Sequence, residues 1–214
     1  FRSASIAERL DDFNEALSDP RVGMILASRG GFCVNQLLPF LDFSAIRKSR
    51  KIICGHSDIT ALVNAVWARS GLVAYLGPNF STLGVDRGAA YTLESFVRSL
   101  GRMEAYSVGS SDRWSDDNWQ KNQAKRIFFR NPGPFAIRPG AARGIIVGGN
   151  LCTLNLLQGT SYMPSLDGAM LWLEDDALTG TWTATEFDRN LESLLQQPGA
   201  DRIVGLVIGR FQRA

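Results

Sequence analysis

The spacing of hydrophobic positions changes repeatedly along the first hundred residues, and the changes predict alternating helices and strands. Apolar residues recur at helical spacing behind a capping box, Ser5-x-x-Glu8, until Asp19-Pro20 ends the pattern. Continuous apolar runs of strand length then alternate with further helical patterns. The predicted strands are VGMILA (22–27), KIIC (51–54) and LVAYLG (72–77). The predicted helices are a short one over CVNQLLPFL (33–41) that Pro39 disturbs, one over 59–67 that Gly71 closes, and one over 93–100. This order predicts a parallel sheet covered on both faces.

The pattern changes after Gly101, where the chain becomes polar and rich in turn residues as far as about residue 140. Its short alternating segments predict a β-rich region. Strand and helix patterns then return as RGIIVGG (143–149), NLCTLNLLQG (150–159), AMLWLE (169–174), EFDRNLESLLQQ (186–197) and RIVGLVIG (202–209). We therefore predict an N-terminal parallel-sheet α/β domain over residues 1–102 and a β-rich α/β C-terminal domain over residues 103–214, with the boundary near residue 103.

Composition narrows the class of protein. The 214 residues are 45% hydrophobic, which is enough for a sizeable core, and 23 Lys and Arg balance 21 Asp and Glu without a block of like charge. Neither a nucleic-acid backbone nor a membrane surface is expected as the main partner, and no apolar run is long enough to cross a bilayer. Cys33, Cys54 and Cys152 are odd in number and far apart, which disfavours a disulfide framework or a zinc site. We expect a cytoplasmic protein without a metal or cofactor.

The segment CGHSDIT (54–60) raises the main chemical question, because a serine stands where a strand becomes a helix. Ser57 could be an ordinary helix N-cap, or a nucleophile raised to the rim of a sheet. A second turn, SRGG (28–31), lies at the same predicted sheet edge. If Ser57 is a nucleophile, the N–H of Asp58 and an N–H of Gly30 or Gly31 could bind the oxyanion of a tetrahedral intermediate.

The partners that a nucleophilic serine requires are only partly present. His56 is the one histidine in the sequence, but side chains of successive residues diverge around a tight turn. We therefore expect a structural or substrate-lining role for His56. Glu174 follows a buried strand and could orient a histidine from elsewhere, or it could be a capping acid or an ion-pair partner.

Two further segments could contact a substrate. Trp114 and Trp119 lie among polar residues in SDRWSDDNW, where they could stack on a planar group such as a nucleotide base or could anchor a long loop to the core. GGNL (148–151) could present Asn150 to a polar substrate, or it could be a plain capped turn.

Five segments together resemble the LD-carboxypeptidase family of serine peptidases, and they occur in the family's order over nearly the whole chain. They are DPRVGMILASRGGFCVNQLLPFLDF, KIICGHSDITAL, GLVAYLGP, IIVGGNLCTLNLLQGT and LWLEDD with the FDRNLESLLQQPG and VGLVIGRF runs after it. Within the family, SDRWSDDNW and NLCTLNLLQGTSYMPSL are most similar to the microcin C self-immunity branch, which confers antibiotic resistance. The other branch comprises the murein tetrapeptide carboxypeptidases of cell-wall recycling.

The resemblance implies a Ser-Glu-His triad, with Ser57 as the nucleophile, Glu174 as the glutamate, and backbone amides of Asp58, Gly30 and Gly31 as the oxyanion donors. In the family the histidine lies in a later Gly-His segment, which nothing before Ala214 matches. We expect the complete protein to be longer at both ends.

The implied reaction is acyl transfer to Ser57 and release by water. In the self-immunity branch the substrate is a peptidyl or aminoacyl nucleotide, and the resemblance implies that Trp119 and Trp114 stack on its adenine. In the murein branch a terminal D-amino acid is removed. The family also implies a homodimer. A third hypothesis for the function, besides the two branches, is a binding protein that has lost catalysis.

Overall fold

The computed structural model describes residues 4–101 and 104–213, in which the chain forms an α/β fold with two parallel sheets. The predicted domain boundary near residue 103 lies outside the described residues. The N-terminal sheet has the order β1 (Met24–Leu26), β2 (Ile52–Gly55), β3 (Tyr75–Leu76), and every pair is parallel. The carboxyl ends of these strands therefore meet at one sheet edge, which is where the loops after β1 and β2 lie.

The second parallel sheet has the order β6 (Ile145–Asn150), β7 (Ala169–Glu174), β8 (Gly205–Ile208). Its register places Asn150 opposite Glu174, so these two residues end adjacent strands side by side. The segment between the sheets contains a short antiparallel ribbon of β4 (Arg113–Trp114) and β5 (Phe129–Arg130). The β character predicted for this region is thus confined to two-residue strands.

Helices cover the sheets. In the described residues they are α1 (Ile6–Ser18), α2 (Phe43–Ser49), α3 (Ile59–Ser70), α4 (Ala90–Gly101), α5 (Leu151–Asn155) and α6 (Thr183–Leu195). The predicted capping box of α1 is confirmed, because the Ser5 side chain accepts from the Glu8 N–H and the Glu8 carboxylate accepts from the Ser5 N–H. Gly71 closes α3 in the left-handed conformation, as predicted.

Helix α3 is the element on which the two sheets meet. Nine of its twelve residues are buried, and it packs against α2, β2 and β3 on one side and against α5 and β6 on the other. The buried hydrophobic cluster accordingly includes residues of both halves, such as Val66 of α3 and Leu151 of α5. Each fully buried aliphatic side chain contributes about 1.5–3 kcal/mol, so this shared core fixes α3 firmly in place.

Two predicted elements are shorter or different in the structure. The segment CVNQLLPFL forms two 3₁₀ turns, Val34–Gln36 and Leu38–Phe40, instead of one short helix. Pro39 has no N–H to donate to a continuous helix, which accounts for the interruption. The predicted third strand over LVAYLG is reduced to Tyr75–Leu76. Among the described residues, none of the helices combines the length and the apolar character needed to span a membrane.

Candidate active site

Ser57 stands at a sharp turn between β2 and α3. Its φ is +63°, so a residue with a side chain occupies the left-handed region that glycine normally fills. This conformation costs roughly 1–2 kcal/mol. The helix N-cap is Asp58, and Ser57 contributes its carbonyl oxygen, which accepts from the Thr60 N–H at 2.9 Å. The turn therefore presents the serine in a strained conformation, and the alternative of a plain N-cap serine is not what the structure shows.

The glycine turn after β1 lies directly against this serine. A Cβ built on Gly30 would stand 2.9 Å from Cβ of Ser57 and 3.1 Å from its Oγ, so only glycine fits at this position. A Cβ on Gly31 would stand 3.4 Å from Oδ2 of Asp58. The structure thus brings together the two turns that the sequence placed at one sheet edge.

The backbone amides of the two turns are available to a ligand. Within residues 4–101 and 104–213, the N–H groups of Gly30, Gly31 and Asp58 donate no hydrogen bond. Asp58 is buried, Gly30 is half-buried and Gly31 is exposed, and buried backbone donors normally have partners. Backbone N–H groups without partners beside a serine are the donors that an oxyanion hole uses, and this role for them stays a prediction.

The Asp58 side chain accepts hydrogen bonds from the backbone that follows the glycine turn. It is 3% exposed, and its Oδ2 accepts from the N–H of Cys33 at 2.8 Å and of Val34 at 2.9 Å. Burial raises the pKa of Asp58, and the two backbone donors and the nearby positive charge of Arg9 oppose that rise. Arg9 also reaches this point from α1, where its Nη1 donates to the Cys33 carbonyl at 3.3 Å.

Glu174 ends β7 and lines a cavity of about 880 Å³ that His56 also lines. The carboxyl group is largely enclosed. Burial, followed by the neighbouring carboxylates of Asp175 and Asp176, raises the pKa of Glu174 to about 7. A carboxyl group tuned to this range is typical of functional clefts.

His56 and Ser57 have different surroundings even though they are adjacent. The side chain of Ser57 contacts Gly30, whereas His56 lines the same cavity as Glu174. The backbone N–H of His56 donates to Oδ1 of Asn79 at 3.1 Å. This divergence agrees with the lining position expected of His56, and its contact with a substrate stays a prediction.

Hydrogen bonds from α3 to β6 connect the turn of Ser57 with the strand ends that carry Glu174. Oγ1 of Thr60, which is fully buried, accepts from the N–H of Asn150 at 3.0 Å, and Nδ2 of Asn64 donates to the Gly148 carbonyl at 2.8 Å. Since Asn150 lies opposite Glu174 in the sheet, these bonds set the distance between the two strand ends and the serine turn.

Two glycines of β6 lie in close contact with the elements on either side of it. A Cβ on Gly148 would stand 2.0 Å from the Trp172 carbonyl oxygen, and a Cβ on Gly149 would stand 2.5 Å from Oγ1 of Thr60. Both glycines also have positive φ, 151° and 117°. A side chain on Gly149 would push α3 away from β6, whereas a side chain on Gly148 would push β7 away from β6.

The side chain of Asn150 serves as a helix cap. Its Oδ1 accepts from the N–H and the hydroxyl of Thr153, and its Nδ2 donates to Asp175 at 3.1 Å. The residue is 3% exposed, which favours the capped turn of the two interpretations. Contact between this side chain and a substrate stays a prediction.

The two tryptophans of the central segment differ in their packing. Trp114 packs on Phe129 with ring centroids 5.3 Å apart, and the guanidinium of Arg210 lies 4.7 Å from its ring centroid. This packing favours a structural anchor. Trp119 is half-buried in a turn, where its backbone N–H donates to the Asp117 carbonyl. Neither ring lines the cavity of Glu174.

The thiol of Cys54, three residues before Ser57, is not suited to act as a nucleophile. Burial raises the pKa of Cys54, at the end of β2, to about 11, so its thiol is protonated at neutral pH. Cys33 and Cys152 are likewise free cysteines. Sequence reasoning did not identify Thr60, Asn64 or Arg9 as part of the site. The buried polar pair on α3 could have been noticed as polar residues on the otherwise apolar face of a helix.

Two family models match most of this chain. The LD-carboxypeptidase N-terminal domain matches residues 1–77, and the LD-carboxypeptidase C-terminal domain matches residues 143–214. The candidate carboxypeptidase YocD of Bacillus subtilis is 45% identical over the whole chain, which spans 65% of YocD.

Two solved structures are similar to this chain over almost its whole length. The crystal structure of an MccF-like protein from Bacillus anthracis superposes with a TM-score of 0.97 at 48% identity, over 99% of this chain and 64% of that one. The microcin C7 self-immunity protein MccF, of Escherichia coli, in complex with aspartyl sulfamoyl adenosine superposes with a TM-score of 0.89 at 32% identity, with the same coverage. The chain thus spans slightly less than two thirds of the length of these relatives.

Proposed function

The chain belongs to the LD-carboxypeptidase family of peptidases, and from this premise we propose that Ser57 is the nucleophile of a serine peptidase that hydrolyses peptidyl or aminoacyl nucleotides. The observation that carries the proposal is the contact between Gly30 and Ser57 at the strained turn after β2. A structural serine gains nothing from a left-handed conformation, whereas a nucleophile gains exposure of Oγ beside free amides.

Each of the grouped residues has a defined role in this reaction. Oγ of Ser57 attacks the carbonyl carbon, and the N–H groups of Asp58 and of Gly30 or Gly31 receive the developing negative charge. One such donor contributes about 10² to 10³ in rate, or roughly 2.7–4 kcal/mol. The leaving amine takes a proton, and water then releases the acyl group from the serine.

Glu174 is the residue that would orient the base. The family resemblance implies that the base is a histidine outside these 214 residues, since His56 faces the cavity and not the serine. The raised pKa of Glu174 describes a carboxyl group without a cationic partner. An imidazolium beside it would stabilise the carboxylate and lower that pKa.

The substrate class rests on the MccF structures. MccF in complex with aspartyl sulfamoyl adenosine shares this chain's fold closely, at 32% identity. Hydrolysis of such a compound breaks the bond between the aspartyl carbonyl and the sulfamoyl nitrogen, with aspartate and sulfamoyl adenosine as products. Destruction of an aminoacyl-nucleotide toxin would confer self-immunity. We also expect a cytoplasmic homodimer, which size-exclusion chromatography with light scattering would test.

The decisive experiment incubates the intact protein with aspartyl sulfamoyl adenosine and, separately, with a murein tetrapeptide, and identifies the products by mass spectrometry. We expect hydrolysis of the nucleotide compound by the wild type and none by Ser57→Ala, which should keep its fold and still bind the ligand. Turnover by Ser57→Ala at the wild-type rate would refute the nucleophile. Preferential release of a terminal D-alanine from the tetrapeptide would show instead that the protein is a murein carboxypeptidase.

A further inference from the structure

The oxyanion hole proposed above depends on a loop whose own central amides make no hydrogen bonds. The start of that loop is fixed from one side, because the Ser28 carbonyl accepts from the Ser81 N–H at 3.0 Å and the Ala27 carbonyl accepts from the Phe80 N–H at 2.8 Å. Gly30 and Gly31 follow with free N–H groups. Something else must therefore fix the far end of the loop.

The far end is held by the residue after the nucleophile. Oδ2 of Asp58 accepts from the Cys33 and Val34 N–H groups, which come directly after the glycine turn and Phe32. Arg9 adds a third bond, from α1 to the Cys33 carbonyl. Asp58 itself is 3% exposed, and hydrogen bonds to a charged acceptor are about twice as strong as neutral ones.

Asp58 therefore belongs to both turns, to one through its backbone and to the other through its side chain. Its backbone N–H is free beside Ser57, and its side chain turns back to bond the loop that contains the other amides. One residue thus connects both halves of the oxyanion hole. A displacement of either half by about 1 Å can cost on the order of 10²-fold in rate.

We propose that Asp58 is a positioning residue of the oxyanion hole, whose buried carboxylate fixes the backbone of Gly30 and Gly31 against Ser57. This inference rests on the proposed function and assigns a specific role to a side chain within it. The role is geometric. Both accepted bonds end on a single oxygen, so an asparagine can supply the same acceptor with its amide oxygen.

The test compares Asp58→Ala with Asp58→Asn in the intact protein. The probe is a fluorophosphonate, which forms a bond between Oγ of Ser57 and phosphorus as fluoride leaves and the serine proton passes to the base. Its phosphoryl oxygen occupies the oxyanion hole, and no natural substrate is needed. Mass spectrometry gives the rate of labelling, and hydrolysis of aspartyl sulfamoyl adenosine gives kcat and KM.

We expect Asp58→Ala to lower kcat and the labelling rate by roughly 10- to 100-fold with KM little changed, and Asp58→Asn to recover most of the loss. Asp42 supplies a matched control, because its Oδ1 also accepts two backbone N–H groups, those of Ser44 and Ala45, at the start of α2. Asp42→Ala should lower the melting temperature and leave kcat unchanged.

Several outcomes would overturn the inference. They are a wild-type labelling rate in Asp58→Ala, an equal loss in Asp58→Asn and Asp58→Ala, or a change confined to KM. If Asp58→Ala does not fold, Arg9→Ala replaces it, and a wild-type labelling rate there would count against the inference. Ser57→Ala separates this inference from the proposed function, because labelling that persists without the Ser57 hydroxyl refutes the nucleophile itself.

Discussion

Asn64 on α3 pairs with Gly148 on β6 much as two neighbouring strands would pair. Its Nδ2 donates to the Gly148 carbonyl at 2.8 Å, and the Gly148 N–H donates back to its Oδ1 at 3.4 Å. A helix uses its own backbone groups internally, so a buried amide side chain supplies the partners that the strand edge needs. This pair holds the helix of the serine turn to the strand next to Glu174.

We expect Asn64→Leu to destabilise the protein by about 2–4 kcal/mol, because the Gly148 N–H and carbonyl would remain buried without partners. The free energy of unfolding in urea measures the effect. Asn14→Leu, on the exposed part of α1, is the matched control and should change stability little. Equal stability of the two variants would show that the pair contributes nothing.

Replacement of the strained serine should separate stability from activity. Ser57→Gly removes the side chain that opposes a φ of +63°, so we expect a gain of about 0.5–1 kcal/mol together with complete loss of hydrolysis. Ser57→Ala should lose activity without that gain, because it keeps the strain. Thermal unfolding and product analysis measure both properties.

Arg50 provides a control for this prediction. It is the other residue with a side chain and a positive φ in the described part of the chain, 52°, and it is exposed at the end of α2. Arg50→Gly should give a similar gain in stability and leave turnover unchanged. A destabilised Ser57→Gly beside a stabilised Arg50→Gly would contradict the strain at the serine turn.

Stability of this chain should fall as the pH rises through the range in which Glu174 ionises. Its pKa is raised in the folded state from 4.5 to about 7, so its stabilising contribution is complete below pH 4.5 and is lost as the pH rises through about 7. The loss amounts to at most about 3 kcal/mol. Urea unfolding at about pH 5 and about pH 8 measures it.

Glu174→Gln should remove most of this pH dependence, since the amide does not ionise. Glu15→Gln, on the exposed face of α1, is the control and should keep the wild-type profile. An identical pH profile in wild type and Glu174→Gln would mean that the carboxyl group is hydrated in the folded chain.

The two tryptophans should respond differently to truncation. Trp119→Ala should raise KM for a nucleotide substrate by about 10-fold and leave a tetrapeptide substrate unaffected, because base stacking contributes roughly 1–3 kcal/mol. Trp114→Ala should mainly lower stability, since it removes the contacts with Phe129 and Arg210. Equal KM changes for both substrates in Trp119→Ala would exclude base stacking.

Local signals were sufficient for much of the fold. The capping box predicted α1, and continuous apolar runs predicted β6 and β7, because these patterns act within a few residues. The length of the third strand was wrong, because an edge strand extends only as far as its partner allows. The helix around Pro39 was also wrong, since periodicity overestimates helices next to a proline.

The contact between the serine and glycine turns could be predicted because parallel strands end at one sheet edge, and that contact is confirmed. The bonds of Thr60 and Asn64 could not be predicted, because their partners lie 90 and 84 residues away in sequence. Nothing local distinguishes Trp114 from Trp119 either, since the cation that packs on Trp114 is Arg210, which follows β8 and lies 96 residues away in sequence.

The crowding around Gly148 and Gly149 restricts any redesign of this protein. With 2.0 Å between a hypothetical Cβ and the Trp172 carbonyl oxygen, even a methyl group is excluded, and randomisation of these codons should return only glycine among functional clones. Libraries aimed at new substrates should therefore leave both glycines unchanged. Diversity is better placed at exposed positions such as Phe32 and Phe80, which border the glycine turn and tolerate change in size.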